Sequence, residues 1–253
     1  MLKLDGVELL NICNLACRNC YTPGTKYPRG MADDHVVYEA LKYGTPGEYF
    51  SVYGSGEPFL HPKLYEYVRA AKDRGYLPYI STNGLLLTED SLGRLLEAGV
   101  KLLQISVHTR KSMEALKLAI KQCNHQEVTL QANVLTYYVE SGQVERWCDA
   151  CDITPEDRAF FRVIGTHNWA GNGADGKVVY PEEDIERRKS CCVYLQYGMC
   201  YVKWDGLVVS CCFDSEGDNV LGHIDDFPQL QHKPDSYPLC QFCGPNWTNG
   251  EMI

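Results

Sequence analysis

The stretch GVELLNICNLACRNCY, residues 6–21, joins an apolar segment to three closely spaced cysteines. Residues 6–12 read as a buried β-strand, and Cys13, Cys17 and Cys20 follow it at the spacing C-x3-C-x2-C. A structural zinc site needs four protein ligands, whereas a catalytic one keeps a position open. Iron–sulfur clusters are also held by cysteine thiolates. The triplet therefore indicates a metal centre that lacks one ligand from this stretch.

Strand-like and helix-like segments alternate from this stretch to about residue 165. The strand-like segments after the first are 49–54, 77–82, 101–108, 128–135 and 158–165, and the helix-like segments are 32–44, 61–75, 88–99, 113–122 and 141–151. Such alternation predicts an α/β fold with a parallel sheet covered by helices. A doubly wound sheet and a barrel both satisfy the pattern, and both place their chemistry at the carboxyl ends of the strands.

The character of the sequence changes after about residue 170. Residues 167–184 are rich in Gly, Asn and Asp and predict a loop. In residues 199–214, two strand-like runs flank Asp205-Gly206, a pair typical of a tight hairpin turn. We therefore expect two domains, a main α/β domain over residues 1–184 and a small cysteine-bearing module over residues 185–253.

Composition excludes several classes of function. The 253 residues carry a net charge of −9 and no Lys/Arg run, so the chain lacks the electrostatic signature of nucleic-acid or membrane-surface binding. Its thirteen cysteines are an odd number, and no export signal precedes them. Clustered cysteines in such a chain favour metal or redox chemistry over disulfides, and we expect a cytoplasmic protein.

Three further short motifs end predicted strands in the same way. They are SGEP at 55–58, STNG at 81–84 and SVH at 106–108. Together with the cysteine triplet, and in this order, they resemble the motifs of the radical S-adenosylmethionine (SAM) superfamily over roughly residues 5–170. The resemblance implies a partial (β/α)6 barrel of the TIM type, which decides between the two layouts.

The resemblance also implies the cofactors and the reaction class. In this family, three cysteines hold a [4Fe–4S] cluster, and SAM chelates the iron that has no protein ligand. Reduction of the cluster by an external donor such as flavodoxin or ferredoxin splits SAM, and the resulting 5′-deoxyadenosyl radical abstracts a substrate hydrogen. Cys13, Cys17 and Cys20 match those ligands, and zinc is the alternative occupant.

The SAM contacts implied by the resemblance fall at strand ends. Gly56 would allow close approach of the backbone to a ligand, and Glu57 would accept hydrogen bonds from the SAM ammonium. Thr82 and Asn83 would face the ligand, and Tyr21 would pack near the adenine.

The next two strands complete this set of contacts. Ser106 matches the family pattern, whereas His108 stands where many relatives have Asp. Asn133 occupies the place of a polar contact to the ribose. Two further departures are Ser55, where the motif has Gly, and Asn19, where an aromatic residue or His is common.

The C-terminal cysteines resemble the SPASM domain of the same superfamily, in its shorter “twitch” form with one auxiliary cluster. The matching ligands are Cys192, Cys211, Cys240 and Cys243. Cys191 is an alternative to Cys192, and Cys212 is an alternative to Cys211. Four thiolates on one [4Fe–4S] cluster would leave no place for SAM. The alternative here is a zinc ribbon.

The reacting residues are expected near the end of the sixth strand. Arg162 would bind an anionic or polyhydroxyl substrate, and an arginine acts in proton transfer in a small dehydrogenase of the twitch type. His167 would serve as an acid–base group near pH 7, and Cys200 as a hydrogen donor to a substrate radical.

The most direct interpretation is dehydrogenation or epimerisation of a small hydroxylated substrate such as a sugar or aminocyclitol. Radical modification of a peptide is a second possibility, although the early first strand leaves no room for a leader-binding domain. A zinc-stabilised binding module without enzymatic activity is the third.

Overall fold

The computed structural model describes residues 2–17, 20–123, 127–165, 181–233 and 236–243. The chain divides into two compact units. One comprises Met1–Thr45, Gly54–Gly56 and His167–Ile253, and the other comprises Pro46–Tyr53 and Glu57–Thr166. The functional division expected between residues 184 and 185 stays a prediction.

The unit built around residues 57–166 alternates strands with helices. Its strands are β2 (Tyr49–Tyr53), β3 (Leu77–Thr82), β4 (Leu102–Val107), β5 (Thr129–Leu135) and β6 (Phe161–Ile164). Its helices are α2 (Leu64–Asp73), α3 (Glu89–Ala98), α4 (Arg110–Cys123), α5 (Thr136–Glu140) and α6 (Gln143–Ala150). Helix α3 shows why these boundaries arise, because Thr88 and Ser91 form a capping box at its start and Gly99 ends it in the left-handed region.

Neighbours in sequence are neighbours in the sheet of this unit. The order is β6-β5-β4-β3-β2, and every pair between β2 and β6 is parallel. A doubly wound sheet reverses its strand order at a switch point. The uninterrupted order in this unit lacks that reversal and follows the progression of a barrel.

The two faces of these strands differ in chemistry. Ile80, Leu103, Ile105 and Ala132 are fully buried on the face where α2 and α4 pack. The alternate residues are mainly polar and point to the opposite face, because side chains in a strand alternate between the two sides. The polar face therefore carries the side chains available for chemistry.

The other unit holds β1 (Lys3–Glu8) and the C-terminal elements. These are α1 (Asp34–Ala40), α7 (Glu182–Cys191), α8 (Val193–Tyr197), β7 (Met199–Val202), β8 (Leu207–Val209) and β9 (Val220–His223). Strand β1 pairs in parallel with β7, which continues antiparallel through β8 to β9. The predicted hairpin is confirmed, with Gly206 at φ 87° in its turn.

The α/β fold class with a mostly parallel sheet is also confirmed. Several boundaries differ from those predicted. Strand β1 starts earlier and ends at Glu8, so residues 9–12 belong to the approach to the cysteine loop. The helix expected over 141–151 is α6, which begins at Gln143 after Gly142 in the left-handed conformation, and α5 is a further helix before it. Among the described residues, no helix is long and apolar enough to cross a membrane.

Candidate active site

The three N-terminal cysteines lie on a loop that follows β1, and each is partly exposed. The pKa of Cys17 is raised to about 11, chiefly by burial and then by the neighbouring Cys20 and Cys13, so the three thiols lie near one another. Backbone N–H groups already point at two of the sulfurs, from Leu15 to Cys13 (3.4 Å) and from Thr22 to Cys20 (3.4 Å). Such donors stabilise a thiolate, which is the form that binds metal.

The strand end at residues 54–56 packs closely against the segment that leads into this loop. The Gly56 N–H donates to the Leu10 carbonyl at 3.0 Å. A Cβ on Gly56 would stand 2.3 Å from the Ile12 carbonyl oxygen, so only glycine fits. This close packing explains why residue 56 is glycine. The predicted close approach of Gly56 to a ligand stays a prediction.

Glu57 is buried and fixes the end of β3. Its Oε1 accepts from the Thr82 hydroxyl at 2.7 Å and from the Phe59 N–H at 3.2 Å, and its Oε2 accepts from the Asn83 N–H at 2.8 Å. Burial raises the pKa of this carboxyl, and these hydrogen bonds oppose the rise. Within this unit the carboxylate orders Thr82 and Asn83, whereas its predicted contact with the SAM ammonium stays a prediction.

Three predicted site residues form one row across the polar face. Ser106 on β4 is the register partner of Asn133 on β5, which in turn is the partner of Arg162 on β6. The Asn133 Oδ1 atom is buried without a hydrogen-bond partner, as is the Nδ1 atom of His108. Burial lowers the pKa of His108, and its ring meets Tyr138 edge-on at 6.4 Å between centroids. These unused polar atoms fit a bound group rich in hydroxyl and amine functions.

A second polar row, formed by Gln104 and Gln131, lies two residues before Ser106 and Asn133 on the same strands. Neither glutamine is among the site residues predicted from the sequence. Gln104 and Gln131 are register partners. The Gln104 Oε1 atom accepts from the Tyr79 hydroxyl (2.7 Å) and the Ser81 hydroxyl (3.1 Å). Arg162 Nη1 donates to Gln131 Oε1 at 3.1 Å, so this row supports the guanidinium. The signal was the polar residue at every second position of two otherwise apolar strands.

The C-terminal cysteines lie close enough to affect one another's ionisation. Burial, then the neighbouring Cys243 and Cys192, raises the pKa of Cys240 to about 12. The pKa of Cys243 is raised by burial and then by Cys192, and that of Cys211 by burial, by Cys212 and, more weakly, by Cys240. The structure therefore brings Cys192, Cys211, Cys240 and Cys243 into one group. Binding of a metal to them would release protons.

The C-terminal region contains two pairs of adjacent cysteines, Cys191–Cys192 and Cys211–Cys212, and the surroundings of their members differ. Cys191 is exposed, and its sulfur lies 3.8 Å from the Ser190 hydroxyl. Cys212 interacts with Tyr194, and its pKa is raised to about 12 by burial and then by the Asp5 carboxylate. These surroundings favour Cys192 and Cys211 as the ligands, with the choice remaining a prediction.

A polar scaffold supports the four-cysteine group. The Asn219 amide donates to the Ser210 hydroxyl at 3.1 Å and accepts from the Leu239 N–H at 3.1 Å. It thereby joins the residue before Cys211 to the residue before Cys240. Arg188 donates to the Cys243 carbonyl, which anchors Cys243 to α7.

Of the residues predicted to react, the structure describes Cys200 but not His167. Cys200 is fully buried on β7, and its sulfur donates to the Lys3 carbonyl at 3.4 Å. His167 lies outside the described residues, as do Asn19 and the other residues from 166 to 180.

A single metal ion and an iron–sulfur cluster make different demands on the two cysteine groups. Among the described residues, no three His, Cys, Asp or Glu side chains converge in a way that would hold one metal ion. In a cluster each cysteine binds a different iron, so the sulfurs need proximity and not convergence. The N-terminal triplet suits such a cluster, whereas a cluster at the C-terminal cysteines and the contacts of Asn133 and His108 with SAM stay predictions.

Comparison with known proteins agrees with this geometry. The Radical SAM superfamily model matches residues 7–132. The tungsten-containing aldehyde ferredoxin oxidoreductase cofactor-modifying protein of Pyrococcus furiosus is 25% identical over 83% of this chain and 71% of its own length. For several other curated relatives, the chain spans less than half of the relative's length.

Solved structures extend the likeness to nearly the whole chain. BtrN in complex with AdoMet and 2-DOIA has a TM-score of 0.57 at 18% identity, with 98% of this chain and 85% of that chain covered. Streptococcus suis SuiB bound to precursor peptide SuiA also has a TM-score of 0.57, at 14% identity, with 100% and 67% covered. At these identities the likeness shows the shared partial-barrel fold alone.

The fold and the matched sequence define an enzyme of the radical SAM type. The chain belongs to the radical SAM superfamily, whose members bind SAM and a [4Fe–4S] cluster.

Proposed function

We propose that this radical SAM enzyme oxidises a small hydroxyl-bearing substrate, such as a sugar or aminocyclitol, to a ketone, with an auxiliary [4Fe–4S] cluster. The observation that carries the proposal is the four-cysteine group formed by Cys192, Cys211, Cys240 and Cys243. A complete set of thiolates leaves no position for SAM, so the second centre suits electron transfer. The fold shared with BtrN, whose structure holds AdoMet and 2-DOIA, supports the substrate class.

The proposed cofactors divide the oxidation between them. When bound, the SAM-linked cluster provides removal of a hydrogen atom from the substrate carbon, and the auxiliary cluster provides an acceptor for the remaining electron. The hydroxyl proton leaves to a base or to water, and the C–O bond becomes C=O. An external reductant such as flavodoxin or ferredoxin supplies the electron for each SAM cleavage.

The chain's own residues would bind and orient the substrate. Cys13, Cys17 and Cys20 would hold the first cluster, and Ser106, His108 and Asn133 would offer hydrogen bonds to SAM. The Arg162 guanidinium, held by Gln131, would stabilise a substrate oxygen that loses its proton. We assign the base role to His167, whose ordinary pKa lies near neutrality.

Oxidation is favoured over epimerisation by the position of Cys200. An epimerase needs a hydrogen donor that reaches the substrate radical. Cys200 is fully buried on β7 beside β1, and its sulfur donates to the Lys3 carbonyl. Peptide modification is the second candidate, because the fold of SuiB bound to precursor peptide SuiA covers the entire chain.

The test is deuterium transfer from candidate substrates labelled at the carbinol carbon. We expect deuterium in 5′-deoxyadenosine and a ketone in equal amount. A product with inverted stereochemistry and a hydrogen from solvent would show that the enzyme is an epimerase, which contradicts the proposed oxidation. Transfer from a peptide alone would replace the small substrate by a peptide. The Cys240→Ala/Cys243→Ala variant is the matched control, since it should transfer deuterium without forming ketone.

A further inference from the structure

A partly buried chain of hydrogen bonds runs from the cysteine loop to the C-terminal hairpin. The Tyr21 hydroxyl donates to the Ser55 hydroxyl, which donates to Oε1 of Glu8. The Ser55 N–H donates to the same oxygen at 3.2 Å. Tyr21 directly follows Cys20, so the chain begins one residue from the metal-ligand loop.

Glu8 is held on its other side by the hairpin. Its Oε2 atom lies 3.7 Å from Nζ of Lys203 and accepts from the Trp204 N–H at 3.5 Å. Both charged side chains are buried, so each depends on the other for compensation. Lys203 also donates to the Ser215 carbonyl at 2.9 Å and lies 4.0 Å above the Tyr27 ring.

The strand end at residues 54–56 leaves only one side chain for this bridge. A Cβ on Gly54 would stand 2.4 Å from Cγ of Glu8, and a Cβ on Gly56 would stand 2.3 Å from the Ile12 carbonyl oxygen. Ser55, between them, uses its hydroxyl as both acceptor and donor, and its carbonyl accepts from the Thr22 hydroxyl at 2.8 Å. The related motif has glycine at this position and offers no hydroxyl for the bridge.

We propose that Ser55 is a positioning residue that fixes Tyr21 and the Cys20 loop for SAM binding, anchored through Glu8 to Lys203 of the hairpin. Ser55 acts through Tyr21 and need not contact SAM itself. The inference rests on the proposed SAM site, because the benefit of a fixed loop appears only when the cluster and SAM bind.

The experiment is a double-mutant cycle on anaerobically reconstituted protein. Ser55→Ala removes the hydroxyl, Tyr21→Phe removes its donor but keeps the ring, and the double variant removes both. SAM affinity is measured by equilibrium dialysis, and the cluster is followed by electron paramagnetic resonance with and without SAM. We expect each single variant to bind SAM about 5- to 10-fold more weakly, the effect of one lost hydrogen bond. The double variant should bind no more weakly than either single variant, because they share one interaction.

Tyr27→Phe is the matched control. The Tyr27 hydroxyl donates to Oδ2 of Asp205 at 2.7 Å and takes no part in the Ser55 bridge. We expect it to leave SAM affinity and the resonance spectrum unchanged, although it too removes one tyrosine hydroxyl from a hydrogen bond. Ser55→Gly, which restores the residue of the related motif, should weaken SAM binding as Ser55→Ala does.

Three results would overturn the inference. They are additive losses in the double variant, an equal loss of SAM affinity in Tyr27→Phe, and unchanged affinity in all Ser55 and Tyr21 variants while wild type binds SAM. Failure of the reconstituted wild-type protein to bind SAM would instead overturn the proposed function, and the inference with it.

Discussion

The two cysteine groups of this chain differ in number, setting and purpose. The first places Cys13, Cys17 and Cys20 on one partly exposed loop, within eight residues of sequence. The second gathers four cysteines from three distant segments, and Asn219 and Arg188 hold those segments together. An open loop can admit a ligand to its metal centre, whereas a fully ligated, scaffolded group cannot. Under the proposed function, this difference would let one chain both generate a radical and accept an electron.

The largest expected effect comes from removing the open group. Replacing Cys13, Cys17 and Cys20 with Ala should abolish 5′-deoxyadenosine formation. Among the described residues, we expect no other cysteine group to hold a cluster with one iron open to SAM. The product is measured by liquid chromatography under reducing conditions. Iron should fall by about half from about eight per chain, the content of two [4Fe–4S] clusters. Retained SAM cleavage in this variant would show that the N-terminal cysteines are not the group at which SAM is cleaved.

The second effect tests the closed group. Cys240→Ala with Cys243→Ala should also remove about half of the iron, while SAM cleavage continues. Cys191→Ala is the control, since its exposed thiol should be dispensable. Iron and acid-labile sulfide analysis gives the readout. Unchanged iron in the double variant would show that this group holds no cluster.

A smaller effect tests the scaffold of the closed group. Asn219→Ala removes three side-chain hydrogen bonds, to Ser210, Leu239 and the Cys240 sulfur, and should lower the free energy of unfolding by about 2–3 kcal/mol. It should also reduce iron at the closed group without affecting SAM cleavage. Chemical denaturation and iron analysis measure these results. A loss of SAM cleavage equal to the loss of iron would show that SAM cleavage depends on the closed group, which contradicts separate roles for the two cysteine groups.

The smallest effect concerns a buried carboxyl near the closed group. Burial raises the pKa of Asp5 to about 7, although the Tyr194 hydroxyl donates to it and opposes the rise. An acid with a raised pKa in the folded state makes the protein less stable as pH rises from about 4 to 7. Asp5→Asn should therefore stabilise the protein by roughly 1–3 kcal/mol at pH 8 and leave it unchanged at pH 4. Equal effects at both pH values would show that Asp5 does not titrate in this range.

Much of this architecture was accessible from the sequence. Strand and helix periodicity gave the parallel α/β class, and Asp205-Gly206 gave the hairpin, because both are local signals. The contact network was not accessible in the same way. The engagement of Glu57 with Thr82 and Asn83, and the buried Glu8–Lys203 pair, depend on distant segments meeting in space. Likewise, the choice of Cys192 over Cys191 depends on which neighbour faces the group.

The polar rows of the unit built around residues 57–166 show the same limit. Ser106 and Asn133 were found by motif, whereas Gln104 and Gln131 required the register of β4 and β5. Residue type alone does not show that Gln131 supports Arg162. Register joins these side chains into one surface, and only the folded sheet gives register.

The most direct test of the central claim is electron paramagnetic resonance of the two cysteine variants, each recorded with and without SAM. The account predicts that SAM changes the signal of the cluster retained in Cys240→Ala/Cys243→Ala. It also predicts no change in the signal retained when Cys13, Cys17 and Cys20 are replaced. A SAM-dependent change in the second variant, or a colourless protein that binds zinc and no iron, would contradict it.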